Sequence, residues 1–342
     1  MNHGAASLFI CPECQCGTLH VEEFLLSDKD ADQIVDGRLI CGQCKNWYRI
    51  ENGVVDLLPA RIKHLNYDRF VLKNIRFAEK YGLALSVADE LGGSTPLNKT
   101  KPLGAFEDVV NYEKDVVNNR FYKALDETAF LDWMKRNLKT GNLVLDVGCG
   151  SGRQCVPLAE AGIRAVAMDI DEDMVLLAAK KLNEGSLSSM VDLVVGDGEN
   201  PPVRDESFNA SVHYGVLHHL TEKDAAVFNA SRKVVPGGLM YTLDPHKSFV
   251  RFIFDYFMKV WQLWVEEASE DPLITEEQIL SWMAKGGVYG KTRLSTYLPP
   301  HIFFAGLRTN VWLLKLTDGI FSRISGIRKA GGVIIFEGKK KD

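Results

Sequence analysis

The sequence predicts an α/β protein built on a parallel sheet, with a small cysteine-bearing module ahead of it. Two observations carry this expectation. From Asn142 onward, short apolar β-branched runs alternate with segments of helical periodicity, the pattern of strand–helix–strand units. Five of the seven cysteines gather before residue 45, four of them as Cys11-Pro-Glu-Cys14 and Cys41-Gly-Gln-Cys44.

The most informative stretch is 142–152. Asn142-Leu-Val-Leu-Asp-Val reads as a buried parallel strand. It runs into Gly148-Cys-Gly-Ser-Gly152, with glycine on alternate positions. Glycine there permits backbone angles closed to other residues and lets a ligand approach the main chain. A helix is expected from about 153 through 161, with its amide-rich end facing the turn. Strand, turn and helix together cradle a nucleoside-type ligand at the carboxyl edge of a sheet. Asp169 closes the next strand, 163–170, about 20 residues beyond the turn, where a carboxylate reaches both ribose hydroxyls. Asp197 ends a third strand, in 191–198, where a carboxylate or backbone amide can select an adenine edge. The glycine pattern is GxGxG rather than GxGxxG, which disfavours a nicotinamide enzyme.

The whole chain has 342 residues, a net charge of −5 and 46% hydrophobic residues. That suffices for a full core plus a small extra domain. There is no basic excess to attract nucleic acid. The first residues lack a charged start followed by a long apolar run, so no signal peptide is expected and the cytoplasm is the default compartment. In a reducing compartment, clustered cysteines point to metal rather than disulfides. The two CxxC pairs offer four thiolates in a tetrahedron, which suits structural zinc and leaves no open position for catalysis. Cys16 is either a substitute ligand or a bystander. Residues 18–26 and 37–40 look like strands, and 47–59 reads as strand, Asn-Gly turn, strand. The acidic stretch 27–36 argues against a phosphate-facing surface.

Residues 61–140 link this module to the sheet. Residues 65–81 have helical periodicity, 91–96 and 98–104 are turn-rich, and 111–138 return to a helical pattern. Tyr112, Phe121 and Tyr122 are either core residues or the wall of a substrate pocket. Further on, helices are expected at 171–183 and 221–235, and a strand at 239–243. His213, Tyr214, His218, His219, Asp244 and His246 then fall at the carboxyl ends of the strands, where ligands of such sheets bind. His219 and His218 are candidates for a general base, since imidazole titrates in the useful range. The bland alternative is that the pair caps the following helix and packs beside the ligand.

The C-terminal third carries two apolar insertions, at about 247–270 and 299–327. In the first, Arg251, Asp255 and Lys259 lie four apart and make one polar stripe on an otherwise greasy helix. Three charges within 17 residues argue against a membrane span. Thr275-Glu-Glu-Gln opens a helix over 275–285 with a capping-box pattern. Strands are expected at 288–298 and 332–338, with 339–341 as a solvated tail. The two insertions either pack on each other or form a homodimer interface. Alternatively they make a greasy lid or an interfacial helix that samples the inner membrane face.

LDVGCGSG (145–152), MDID (168–171), GDGENPPVRDESFNASVHYGVLHHL (196–220) and VVPGGLMYTLDP (234–245) resemble, in order and spacing, the motifs of class I S-adenosylmethionine (SAM) methyltransferases. The nearest flavour is the quinone-biosynthesis-like group. The resemblance implies a Rossmann-like, seven-stranded, mostly parallel sheet with helices on both faces. It places SAM across Gly148, Cys149, Gly150 and Gly152. Asp169 and Ile170 would take the ribose, Asp197 and Gly198 the adenine. Asp146 and the backbone near His213 and Tyr214 would take the methionine end. Residues 8–59 resemble the small zinc-ribbon-like domain that accompanies several methyltransferases of RNA and protein, with Cys11, Cys14, Cys41 and Cys44 as zinc ligands. The expected organisation is therefore 1–60 zinc-ribbon-like, 61–140 helical cap, and 141–342 methyltransferase with helical insertions. The implied reaction is methyl transfer to O, N or C of a small-molecule or lipid-like acceptor. An rRNA or tRNA base methyltransferase is the first alternative, disfavoured by charge and the greasy C-terminus. A non-catalytic SAM-binding scaffold is the second.

Overall fold

A computed structural model of the chain describes residues 1–15, 18–28, 32–64, 67–85, 120–251, 253, 256, 273–295 and 311–342. Cys16, Tyr112, Asp255 and Lys259 lie outside the described residues, as do 91–104 and 299–310.

Seven strands form the expected sheet: β5 (Leu143–Val147), β6 (Arg164–Asp169), β7 (Val191–Val195), β8 (Phe208–Tyr214), β9 (Val234–Pro245), β10 (Val288–Ser295) and β11 (Val333–Lys340). Their order is β7-β6-β5-β8-β9-β11-β10, and β11 runs antiparallel to both neighbours. The other pairs, β5·β6, β5·β8, β6·β7 and β8·β9, are parallel. β5 sits where the order reverses, so its carboxyl end opens into the crevice where such sheets bind ligands. Buried runs such as Leu143-Val-Leu-Asp-Val and Val191-Asp-Leu-Val-Val explain the strands, because both faces of each are covered.

The sheet does not stop at β7. The N-terminal meander β1 (Leu19–Leu26), β2 (Ile34–Cys41), β3 (Trp47–Glu51) and β4 (Val54–Asp56) is antiparallel within itself. β4 then pairs β7 in parallel, Val54 opposite Leu193 and Asp56 opposite Val195, giving eleven continuous strands. Asn52 and Gly53 turn the β3–β4 hairpin with φ of 53° and 78°, as the Asn-Gly pair predicts. Phe9, Leu39, Ile50 and Val55 share one buried cluster with Leu145, Val166, Met168 and Val194. The small module thus buries its apolar side chains against the large sheet, which a ribbon of this size requires for stability.

Several boundaries differ from expectation. The helix after the glycine turn spans Cys155–Glu160 and starts two residues late, since residues 151–154 form a turn that follows Gly152 at φ +90°. β9 begins at Val234, so Pro236-Gly-Gly lies within the strand; the register shifts opposite Phe208 and Ala210, and Gly237 takes φ +72°. β11 runs to Lys340, so Lys339 and Lys340 belong to the ladder rather than to a free tail.

The remaining helices follow the pattern. Glu172–Glu184 is capped by Asp171, whose carboxylate accepts from the amides of Asp173 and Met174. Glu276–Lys285 carries the expected box, Thr275 and Gln278 exchanging bonds of 2.9 and 3.1 Å. Tyr67–Tyr81 lies over the N-terminal strands, with Phe77 packed on Phe24 and Trp47. Arg120–Asp126, the π turn Glu127–Leu131 and Asp132–Asn137 cover one face of the main sheet. Val311–Phe321 packs on Arg120–Asp126 and pairs Lys315 with Glu127, yet leaves Trp312, Leu316 and Ile320 exposed. Among the described residues, no helix is long and apolar enough to cross a membrane.

Candidate active site

The glycine turn is held from both sides. Gly148 takes φ +73°, and a Cβ there would come 2.3 Å from a Val216 methyl, so the position excludes a side chain. The amides of Gly148 and Cys149 donate to the Met168 carbonyl at 2.8 and 2.9 Å, tying the turn to the end of β6. Asp169 closes the same strand. One of its oxygens accepts from Gly150 N at 2.8 Å and the other from Asp171 N at 2.9 Å. Burial pushes its pKa up to about 6, against the pull of those amides. Ile170 is half-buried beside it.

Asp146, near the end of β5, is 1% exposed, and neither carboxylate oxygen has a hydrogen-bond partner among the described residues. Burial, then the neighbouring Asp169 charge, pushes its pKa up to about 7. A buried carboxylate without a donor is unfavourable unless something cationic completes it. A SAM molecule brings a sulfonium and an ammonium, so the residues present fit it. Cys149 and Cys155 are buried beside these acids, and burial raises both thiols.

The third strand end also falls where the spacing predicts. Asp197 is buried and accepts from Glu199 N at 3.0 Å. A Cβ on Gly198 would meet Val147 at 3.0 Å, so this turn lies directly over the end of β5. His213 is fully buried within β8, with neither ring nitrogen bonded among the described residues, and burial pushes its pKa down to about 4. It is therefore neutral at pH 7.

Tyr214 belongs to a group that sequence reasoning missed. Its hydroxyl donates to Asp126 at 2.6 Å, and Arg153 bridges Asp126 at 2.8 Å. The Arg153 guanidinium stacks on the Tyr214 and Tyr122 rings, 4.9 Å from each centroid. Arg153 directly follows the glycine turn, the one available hint. Asp126, 27 residues earlier, has no local signature.

The two candidate bases separate. His218 is buried, its Nδ1 lies 3.0 Å from Asp244 Oδ1, and its amide donates to the same oxygen at 3.1 Å. Asp244 is 1% exposed and its pKa is pushed up to about 8 by burial; its second oxygen is unbonded among the described residues. His219 is exposed, and its ring stacks on His218 with centroids 3.9 Å apart. The carboxylate orients the His218 ring. His246 is buried with Nδ1 on the Gly331 carbonyl, 2.8 Å away.

Cys11, Cys14, Cys41 and Cys44 converge, with all four sulfurs within 4.8 Å of one another. Cys11–Cys44 and Cys14–Cys41 are 3.5 and 3.6 Å apart. Zinc–sulfur bonds of about 2.3 Å give tetrahedral edges of roughly 3.8 Å, so the cluster fits a tetrahedral ion. The two knuckles are alike. Gln15 N and Lys45 N donate to the Cys11 and Cys41 carbonyls, and both residues take positive φ, 56° and 65°.

A family model described as a methyltransferase domain matches residues 145–242. A ubiquinone biosynthesis O-methyltransferase of Mesorhizobium japonicum is 29% identical over 192 residues, 56% of this chain and 66% of that protein. A demethylmenaquinone methyltransferase of Paenarthrobacter aurescens is 27% identical over 153 residues, 43% of this chain and 58% of that protein. The chain thus spans a little under two thirds of the length of these curated relatives. Among solved structures, phosphoethanolamine N-methyltransferase 2 of Haemonchus contortus aligns with a TM-score of 0.48 and 16% identity, over 73% of this chain and 61% of that one. Residues 145–242 thus carry a methyltransferase domain, and the relatives named above support its reading as SAM-dependent.

Proposed function

We propose that this protein transfers the methyl group of SAM to an oxygen, nitrogen or carbon of a small-molecule or lipid-like acceptor. The observation that carries the reading is Asp146, a buried carboxylate beside the glycine turn that has no donor among the described residues. Asp146 would face the cationic methionine end, Asp169 and Ile170 the ribose, and Asp197 and Gly198 the adenine. SAM supplies the electrophilic methyl on a good leaving group. The protein then has mainly to orient the acceptor in line and exclude water. His218, oriented by Asp244, would take the acceptor proton through Nε2, with His219 as its exposed neighbour at the mouth.

Two observations support a hydrophobic acceptor. The relatives are named as a ubiquinone biosynthesis O-methyltransferase and a demethylmenaquinone methyltransferase. Phe249, Tyr256 and Trp312 are exposed by 76, 61 and 65%, on segments that follow β9 or precede β11. Residues 1–60 would act as a zinc-holding module through the four cysteines, with 61–140 as the cap. The test is methyl transfer from labelled SAM into a host-cell extract, partitioned into lipid, small aqueous, RNA and protein fractions, with Asp169→Ala as control. Label in the lipid or small-molecule fraction, absent in the control, is expected. Label in RNA alone would overturn the acceptor class, and no label in any fraction would favour a binding scaffold.

A further inference from the structure

The cysteine cluster and the adenine-side turn are physically joined. Ahead of the first knuckle, Ile10 N donates to Pro202 O at 3.0 Å, and Arg204 N donates to Leu8 O at 2.7 Å. Phe9 and Val203 form a bridge between them. This zips the chain entering Cys11 onto the chain leaving the Asp197 turn. Inside the knuckle, between Cys11 and Cys14, the Glu13 carboxylate accepts from Ala60 N, at the start of the helical turn Ala60–Lys63. One residue on, Arg61 reaches Asp197 at 3.7 Å. Leu57, just upstream, donates to the Val195 carbonyl at 2.9 Å, two residues before Asp197. From the second side, Tyr48 Oη lies 3.0 Å from Cys11 Sγ. The Lys63 ammonium sits 5.6 Å over the Tyr48 ring and 3.4 Å from Asp56, opposite Val195 in the ladder.

We propose that the metal knuckle positions Arg61 against Asp197, so that metal loading and SAM binding are coupled. An ion held by Cys11 and Cys14 fixes the backbone of Glu13. Glu13 fixes the first amide of the Ala60 turn, and that turn sets Arg61 on the carboxylate facing the adenine pocket. Arg61 is a positioning residue: it acts on the cofactor through Asp197. The inference rests on the reading of Asp197 as an adenine-side residue. Coupling of this kind is reciprocal in the binding free energies, so bound nucleoside also tightens the hold on the metal, read here as slower loss to a chelator.

The test uses the full chain as purified, with metal content measured first; about one zinc per chain is expected, and none would overturn the proposal. S-adenosylhomocysteine binding is measured by calorimetry, and zinc release to a chromophoric chelator is followed with and without saturating S-adenosylhomocysteine. In the unsubstituted protein the nucleoside should slow release about fivefold or more, at the lower end of typical coupling. In Arg61→Ala, a change at a half-exposed side chain that leaves the four sulfurs in place, the slowing should largely vanish and S-adenosylhomocysteine affinity should fall several-fold. Glu13→Gln should show the same loss in milder form. Zinc release indifferent to bound S-adenosylhomocysteine would overturn the coupling. Slowing that persists in Arg61→Ala would overturn the route through Arg61. Failure of S-adenosylhomocysteine to bind at all is a separate outcome, and it overturns the cofactor reading beneath.

Discussion

Two buried groups of charge flank the start of the Glu172–Glu184 helix, and they are treated in opposite ways. On the N-terminal side, Arg49 is 2% exposed and meets Glu172 and Glu51 at 2.7 Å and Asp56 at 3.7 Å. Lys73 adds a second cation on Glu172 at 2.6 Å, and Lys63 one on Asp56 at 3.4 Å. The surrounding carboxylates raise the Arg49 pKa despite its burial. On the other side, among the described residues, Asp146 has no donor and Asp169 is hydrogen-bonded by backbone amides alone. Both clusters are removed from water, so both bear the desolvation of their charges. The first has its counter-charges within the chain, although Asp56 Oδ2 makes no hydrogen bond among the described residues, and it joins the N-terminal hairpin to the main sheet. The second has no counter-charge among the described residues, which is how a binding site for a cation differs from a structural ion pair.

Four experiments sharpen or break this contrast. The largest effect is expected from Arg49→Ala, which removes the cation that Glu172 and Asp56 share and leaves each with one lysine, Lys73 and Lys63. A loss of about 3–5 kcal/mol of stability is expected by urea denaturation, as for one partner removed from a buried pair. A loss below about 1 kcal/mol would make the cluster ordinary surface charge. Asp169→Ala should leave the fold in place and weaken SAM binding roughly 10- to 100-fold, the range of a hydrogen bond to a charged group. His218→Ala should lower turnover at least tenfold while SAM affinity stays within a few-fold, and Asp244→Asn should act in the same direction; unchanged turnover removes the base assignment.

The smallest effect is the most diagnostic. The Asp146 pKa is raised from 3.8 to about 7 in the folded chain, so the empty protein loses stability as pH rises between about 4 and 7. Asp146→Asn should therefore raise the melting temperature of the empty protein by roughly 5 °C at pH 7.5 and by much less at pH 4.5. The same shift predicts that SAM affinity falls several-fold as pH drops from 8 to 6, since the protonated acid cannot pair with a cation. That slope should flatten in Asp146→Asn. A steep slope surviving the substitution would assign it to another group.

What could be read from the sequence was local. The LDVGCGSG turn, the strand-end acids Asp169 and Asp197, the Asn52–Gly53 hairpin and the Thr275 capping box each depend on residues a few positions apart. The two CxxC pairs were legible because ligand chemistry restricts spacing more than fold does. The long-range pairings were not. β4 is only Val54-Val-Asp56, and nothing in three residues says that it pairs Val195 rather than ending a separate module. Arg49 and Glu172 lie 123 residues apart, and Tyr214 and Asp126 88 apart. The choice between His218 and His219 needed Asp244, whose carboxylate lies 3.0 Å from the His218 ring through the register of β8 on β9.

The most direct measurement is calorimetric titration of SAM into the unsubstituted protein and into Asp146→Asn at pH 8. One site per chain is expected in the unsubstituted protein, with the affinity at least tenfold weaker in a variant that is itself more stable when empty. A variant that binds SAM as tightly as the unsubstituted chain would contradict the assignment of this bare carboxylate to the cofactor, and no binding to either would contradict the site altogether.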